Sequence, residues 1–238
     1  MLPTTYFVET AYEDIGCEDG SGNILDPRFK LSVCGENDYM PYYYVDPDLR
    51  AMHPDSVRYN GWYNFPTAGY CTWKYFTDPS FATTNATLGD YPQNTKYLRF
   101  ADLLLMGAEA AVHNGQNQDA RSWINKVRER ARNSGSTNYP LALSGSVTLE
   151  QIYAERRVEL AFEGHQFFDI VRTGRAQEIL KERAMSQPHW VTTIHPESSE
   201  EAPQQFGDNF RVGNHEIWPI PEDEIAQTDG SITQNPGY

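Results

Sequence analysis

Apolar residues recur every three or four positions through the middle of the chain, which is the spacing of an amphipathic helix. The first such series comprises Leu98, Ala101, Leu105, Ala108 and Val112. Gly115 then marks its end, because glycine tolerates the left-handed conformation in which many helices stop. Asp119 is suited to open a second helix, whose apolar positions are Ala120, Ile124, Val127 and Ala131. The pattern predicts one antiparallel helical hairpin, close in length to the roughly 34 residues of a tetratricopeptide unit.

A third helical pattern starts near Thr148 and extends to about Glu163, just before Gly164. Glu155, Glu159 and Glu163 fall four residues apart and therefore share one stripe of this helix. Like charges at that spacing repel by roughly a few tenths of a kcal/mol per pair, so cations are needed to neutralise them. The candidates in the sequence are Arg99, Arg156, Arg157, Arg172 and Arg175. We interpret the stripe as part of a structural network of ion pairs between helices.

The residues on either side of this helical core lack sustained periodicity. Short helices are predicted at 4–12 and 175–185, and an extended segment at 26–33. The chain then divides into three parts: an aromatic-rich irregular region packed on the core (1–96), the helical core (97–184) and an irregular C-terminal arm (185–238). Together they are expected to form one domain.

Aromatic residues crowd between positions 39 and 76, interleaved with proline and glycine. Flat rings on loops suit carbohydrate recognition, because the C–H face of a sugar stacks on a ring while nearby polar groups bond its hydroxyls. The strongest candidates are Trp62 and Tyr63, with Asn64 beside them, followed by Tyr42 and Tyr43. The alternative is that these rings only fill the space between loops and the helical core.

Composition and charge narrow the class of protein. Apolar residues make up 39% of the chain and aromatic residues 13%, which excludes general disorder. The net charge of −14 argues against binding nucleic acid or anionic lipid head groups, both of which need a cationic face. No apolar run approaches the length that crosses a membrane.

Motifs that would carry catalysis or bind a metal are missing from the sequence. Cys17, Cys34 and Cys71 are widely spaced, so a zinc site is not expected, while one disulfide between two of the three stays open. Glu109 and His113 share a helical face, but we interpret His113 as a cation that suits a helix C-terminus. With 33 acidic residues in the chain, a pair of carboxylates does not by itself indicate a glycosidase. We expect no catalytic residue, no cofactor and no metal.

Five segments, taken in order, carry a resemblance to a known family. They are YLRFADLLLMGAEA, INKVRERAR, ERRVELAFEGHQFFDIVRTGR, IWPIPEDEI and the terminal QNPGY. This series, over residues 97–238, resembles the C-terminal half of SusD/RagB-type proteins. The resemblance implies a mainly α-helical, SusD-like fold, with a core of tetratricopeptide-like hairpins, long irregular loops and little β-structure. Small departures, such as Gln166 where arginine is usual, do not threaten that fold.

The resemblance also implies a function, which is non-catalytic binding of oligosaccharide or polysaccharide at the bacterial cell surface. Such proteins belong to Bacteroidetes polysaccharide-utilisation systems and deliver the glycan to a SusC-like TonB-dependent transporter in the outer membrane. They carry a signal peptide and an acylated cysteine on a long N-terminal half, so this chain is expected to be a C-terminal piece that reaches the membrane only through that lipid anchor. The family's sugar contacts lie in loops without a motif to align, and the five ligand candidates therefore rest on the local pattern alone.

Two other functions compete with glycan binding. A helical-repeat module could bind only another protein, which would leave the aromatic segment as packing. A glycoside hydrolase would need two carboxylates facing one cleft at a set separation.

Overall fold

The structure is a computed structural model that describes residues 5–35, 70–72, 74, 96–135, 137–184 and 210–238. Within these ranges the helices are α1 (Thr5–Thr10), α2 (Pro27–Ser32), α3 (Phe100–His113), α4 (Asn117–Gly135), α5 (Leu149–Glu159), α6 (His165–Arg172), α7 (Ala176–Ala184) and α8 (Glu222–Gln227). The strands are β1 (Val33–Gly35) and β2 (Tyr70–Thr72). The mainly α-helical fold predicted from the sequence is confirmed.

Helices α3 and α4 form the predicted hairpin. Asn114 caps α3, and Gly115 follows with a φ of 72°, the left-handed conformation that turns the chain back. Leu105 and Ala108 of α3 pack with Ile124 of α4 in a core that excludes solvent. The small alanines of α3 let the two helices approach closely, as the pattern of the sequence predicts.

Helix α5 begins as predicted but ends earlier. Thr148 caps its first turn by accepting a hydrogen bond from the Gln151 backbone, while the Gln151 side chain accepts one from the Thr148 backbone. The helix stops at Glu159, because Phe162 and Gly164 adopt φ angles of 64° and 82°, which an α-helix cannot contain. The prediction that the helix continues to residue 163 is wrong.

The segment 26–33 is a helix followed by a strand, and the prediction of an extended segment is wrong for most of it. Asp26 caps α2 by accepting a hydrogen bond from the Arg28 backbone at 2.9 Å. Pro27 occupies the first helical position, where its fixed φ favours a helix and its missing N–H costs nothing. An Asp-Pro pair at this position therefore starts a helix.

Strands β1 and β2 pair antiparallel. The register places Val33 opposite Thr72, Cys34 opposite Cys71 and Gly35 opposite Tyr70. The pairing hence places Gly35 beside Tyr70, and these two residues flank the segment 36–69 in sequence.

The N-terminal residues build a second core on α5. Helix α1 runs over Thr5–Thr10, inside the predicted range 4–12. Tyr12 and Cys17, which follow it, are fully buried and pack with Val158 of α5. This core ties α1 and the turn after it to the helix that carries the acidic stripe.

The chain divides into two compact units. The first contains the described residues up to Gln166, with the two cores given above. The second contains the described residues from Phe167 onward, and its core forms around Ile170, Ala176 and Phe210. The three-part division predicted from the sequence stays a prediction.

The C-terminal motif QNPGY acts as a clasp within the second unit. The Gln234 side chain accepts a hydrogen bond from Ile220 N and donates one to Ile220 O, both at 2.8 Å. The Asn235 side chain donates to Trp218 O at 2.6 Å. These bonds hold the end of the chain against the IWPIP segment. The C-terminal arm, predicted to be irregular, contains the helix α8, which starts directly after Pro221.

Candidate functional site

The residues predicted to bind a ligand are Trp62, Tyr63, Asn64, Tyr42 and Tyr43. All five lie outside the described residues, so their role stays a prediction. What the structure does show is a charged framework that includes Arg28 and Lys74, which lie on either side of these residues in sequence.

The framework is a network of buried ions around the acidic stripe. Its acids are Asp26, Glu155, Glu159 and Glu163, and the cations that contact them are Arg28, Lys74, Arg99, Arg128 and Arg130. The predicted network of structural ion pairs is therefore present. Only Glu155 and Glu159 share a helix, since Glu163 lies in the turn that follows α5.

Glu155 is the centre of the network. Its carboxylate is wholly buried and accepts one hydrogen bond from Arg28 Nη1 and another from Arg128 Nε, both at 2.7 Å. The Arg128 guanidinium also donates to Leu141 O at 2.9 Å. Two guanidiniums from different helices thus converge on one carboxylate, and α2, α4 and α5 are joined at a single point.

Asp26 is a further acid that binds the Arg28 guanidinium. The Asp26 carboxylate receives hydrogen bonds from Arg28 Nη2 at 2.6 Å and from Arg28 Nε at 3.1 Å. Burial lowers the pKa of Arg28, but the negative charges of Glu155, Asp26 and Glu159 outweigh it and raise that pKa well above its usual range.

Glu159 and Glu163 are held together by Arg99, the N-cap residue of α3. Arg99 binds Glu163 in bidentate fashion, with two contacts of 2.7 Å, and reaches Glu159 Oε1 at 3.0 Å. Lys74 lies 2.5 Å from Glu163 Oε1, and it donates to the Glu159 carbonyl at 2.5 Å. Arg130 of α4 adds a further contact to Glu159 at 3.0 Å.

The pKa values at this end of the network have opposing causes. Burial raises the pKa of Glu163, but hydrogen bonds from Arg99 and Lys74 outweigh it, so the pKa lies below its usual value of 4.5. Burial lowers the pKa of Lys74 from 10.5, and the bond to Glu163 offsets this only in part. Because Glu163 has a lowered pKa and is held by two cations, it is a poor proton donor, which favours a structural role for this residue over general acid catalysis.

A cavity of about 340 Å³ lies beside the network. Arg28, Lys74, Arg99 and Glu163 line it, together with the more exposed Lys96 and Arg130. Its charged groups are largely engaged with one another, so its walls belong to the same ion-paired framework.

The sequence identified three of the four acids, all except Asp26, but only one of the five cations. Arg99 contacts the stripe as predicted, whereas Arg156 pairs with Asp102 at 2.7 Å and Arg157 pairs with Asp14. Arg172 pairs with Asp169, three residues away on α6. The other four cations were missed, because they reach the acids only through tertiary contacts: Arg28, Lys74, Arg128 and Arg130. The surplus of acid on one helix signals that cations must come from elsewhere, but not from which residues.

His113 lies in the last turn of α3, as predicted. In the described part of the chain, no group of three or more His, Cys, Asp or Glu side chains is arranged to hold a metal. None of the helices described is both long enough and apolar enough to cross a bilayer.

In the described residues, one helical hairpin and a buried ion network define a mainly helical protein. The model of the SusD family matches residues 21–238. The chain therefore belongs to the SusD family, as its five ordered segments indicate.

Curated relatives support this assignment over parts of the chain. SusD-like protein P2 of Formosa agariphila is 29% identical over 152 residues, which are 61% of this chain and 26% of the relative. A SusD-like protein of Bacteroides ovatus is 39% identical over 83 residues, which are 34% of this chain and 14% of the relative. The chain thus aligns with only a minor part of the length of either protein.

Solved structures share the fold. A protein titled "Laminarin binding SusD-like protein" is 30% identical, with a TM-score of 0.57 over 96% of this chain and 37% of that protein. A SusD superfamily protein from Bacteroides vulgatus is 24% identical, with a TM-score of 0.60 over the whole chain and 44% of that protein. The second match shows likeness of fold alone.

Proposed function

We propose that this chain is part of a non-catalytic glycan-binding protein that works at the bacterial cell surface and delivers oligosaccharide or polysaccharide to a SusC-like TonB-dependent transporter. In this proposal the protein is attached to the outer membrane by a lipid anchor. The glycan contacts come from the aromatic segment, with Trp62, Tyr63, Asn64, Tyr42 and Tyr43 as candidates.

The observation that carries the proposal is the similarity to the laminarin-binding protein, which extends over 96% of this chain at 30% identity. Membership in the SusD family supports the same class of ligand. The composition agrees, since a net charge of −14 disfavours nucleic acid, whereas an uncharged sugar is recognised by stacking and hydrogen bonds.

The ion network is suited to holding ligand-binding loops in place. Arg28, just before β1, is bound to Glu155, and Lys74, just after β2, is bound to Glu163. Arg28 and Lys74, which flank the segment of the candidate aromatics in sequence, are therefore both bound to acids of one network. A segment fixed at both ends loses less conformational entropy when it binds a ligand.

The experiment that separates the competing functions is a binding screen of the natural full-length protein against immobilised glycans, laminarin included, with an assay for new reducing ends. The proposal expects retention by at least one glycan and no release of reducing ends. Release of reducing ends would favour a glycoside hydrolase. Retention by no glycan would contradict the proposal and leave a protein partner as the remaining ligand.

A further inference from the structure

The pairing of β1 with β2 places two of the three cysteines opposite each other. Cys34 and Cys71 form the middle pair of the three-residue ladder. Residues directly opposite in an antiparallel pair lie on the same face, with Cα atoms about 4.5–5.5 Å apart. Disulfides join residues whose Cα atoms are about 4.4–6.8 Å apart, so the backbone at this pair already meets the distance requirement.

Contacts outside the ladder help to fix this register. Upstream of β1, Arg28 is bound to Asp26 and to Glu155 of α5. Downstream of β2, Lys74 is bound to Glu163. A slip by one residue would move one cysteine to the other face of the ladder, and the anchored flanks oppose such a slip.

The third cysteine, Cys17, is poorly placed to bond with Cys34 or with Cys71. Cys17 is fully buried in the core that contains Tyr12 and Val158, and it is a free thiol whose Sγ donates to Ile15 O at 3.8 Å. Burial raises the pKa of Cys17 to about 12. Since the thiolate is the species that attacks a disulfide, Cys17 reacts slowly in the folded chain.

We propose that Cys34 and Cys71 form a disulfide that closes residues 35–70 into a covalent loop. The oxidant is a disulfide of the exchange type, such as oxidised glutathione or an oxidoreductase disulfide. The Cys34 thiolate attacks that disulfide to give a mixed disulfide and one reduced thiol. The Cys71 thiolate then displaces the second thiol, so that one S–S bond forms, one breaks and two electrons pass to the oxidant.

The proposed disulfide strengthens a two-stranded ladder that is otherwise weak. Two short paired strands are marginally stable alone in water, whereas a cross-link between their centres restricts the unfolded chain and keeps the strands together. Formation of the bond does not depend on glycan binding, and its test uses no ligand.

The test is a count of thiols combined with peptide mapping on the full 238-residue chain. The chain is refolded with reduced and oxidised glutathione, transferred to guanidinium chloride without reductant and labelled with a maleimide. We expect one labelled thiol, Cys17, and one peptide pair joined through Cys34 and Cys71. Three labelled thiols, or any bridge that contains Cys17, would overturn the proposal.

Single substitutions give matched controls for the count. Cys34→Ser and Cys71→Ser should each leave two cysteines outside any bridge within the chain, counted as labelled thiols plus glutathione adducts by mass, and Cys17→Ser should leave none. A Cys34→Ser chain in which peptide mapping finds Cys17 joined to Cys71 would show a different pairing and would overturn the proposal. Reduction of the wild-type chain should lower its Tm by roughly 5–10 °C, and reduction of the Cys34→Ser/Cys71→Ser chain should not.

Discussion

Glu155 shows how the protein accommodates an acid that has no access to water. An isolated carboxylate at such a position would be strongly destabilised, but two guanidiniums at 2.7 Å and the nearby Asp26–Arg28 pair convert it into a junction of three helices. A buried network of this kind is costly to break at one member, because the remaining charges lose their partners.

Substitution of Glu155 tests this junction. Glu155→Gln keeps the size of the side chain but removes the charge that Arg28 and Arg128 share, and we expect it to lower the free energy of unfolding by about 3–5 kcal/mol. Chemical denaturation followed by circular dichroism measures the change. The control is Glu129→Gln on the exposed face of α4, for which a change within about 0.5 kcal/mol is expected. If both variants lose a similar amount of unfolding free energy, the ion pairs of Glu155 do not stabilise the junction of the three helices.

Glu163 makes stability depend on pH in a defined direction. Its pKa in the folded chain lies below the usual 4.5, so its ionisation stabilises the fold fully above about pH 4.5, and this contribution disappears as pH falls through the folded value. We expect Glu163→Gln to be less stable than the wild type at pH 7 and the difference to shrink as pH falls below about 4.5. Denaturation curves at a series of pH values give the measurement. A difference that stays constant down to pH 3 would show that the charge of Glu163 is not the source.

At the residue scale, the three acids of the stripe were predictable, whereas of the cations that bind them only Arg99 was. Acidic residues four apart on a helix require nearby cations, which follows from sequence alone. Arg28 precedes Glu155 by 127 positions, and Lys74 precedes Glu163 by 89, so only the folded chain identifies them. Glu163 itself was assigned to the helix, because its spacing of four continues the stripe past the true helix end.

At the scale of elements, the hairpin α3–α4 was predictable because periodicity and stop signals agreed. The apolar spacing fixed the buried faces, and Gly115 fixed the turn. Helix α2 was missed because a six-residue helix is too short to show a period. Its capping Asp26 and its Pro27 at the first position were the available signals.

The capping box of α5 provides a test at this scale. Thr148→Ala removes the acceptor for the Gln151 N–H, and we expect a loss of about 1 kcal/mol in the free energy of unfolding. The matched control is Ser122→Ala at an exposed position inside α4, which should be neutral or slightly stabilising because alanine is the better helix former. If the two substitutions have equal effects on the denaturation midpoint, the box does not stabilise α5.

At the scale of the whole molecule, five ordered segments identified the family because they lie in the parts of the chain that build its cores and its C-terminal clasp. The ligand could not be predicted in the same way, since loop residues are not constrained by packing and carry no common spacing. Trp62 and its neighbours were selected on the chemistry of their side chains, and their role remains a prediction.

Trp62 gives the local test of that role. Trp62→Ala removes a ring on which a sugar would stack, and we expect glycan affinity to fall about tenfold, which corresponds to about 1.4 kcal/mol. The Tm should change little. The control is Trp218→Ala, a tryptophan that is 82% exposed in the second unit, and it should leave both affinity and Tm unchanged. A large fall in Tm for Trp62→Ala would show that Trp62 belongs to the core and is not a ligand contact.

The most direct test of non-catalytic glycan binding is a calorimetric titration of the natural full-length protein with laminarin and with other soluble glycans. The glycan is then recovered from the calorimeter cell and its length is analysed. The account predicts saturable binding of at least one glycan, which is recovered intact. Absence of binding to every glycan, or recovery of shortened products, would contradict it.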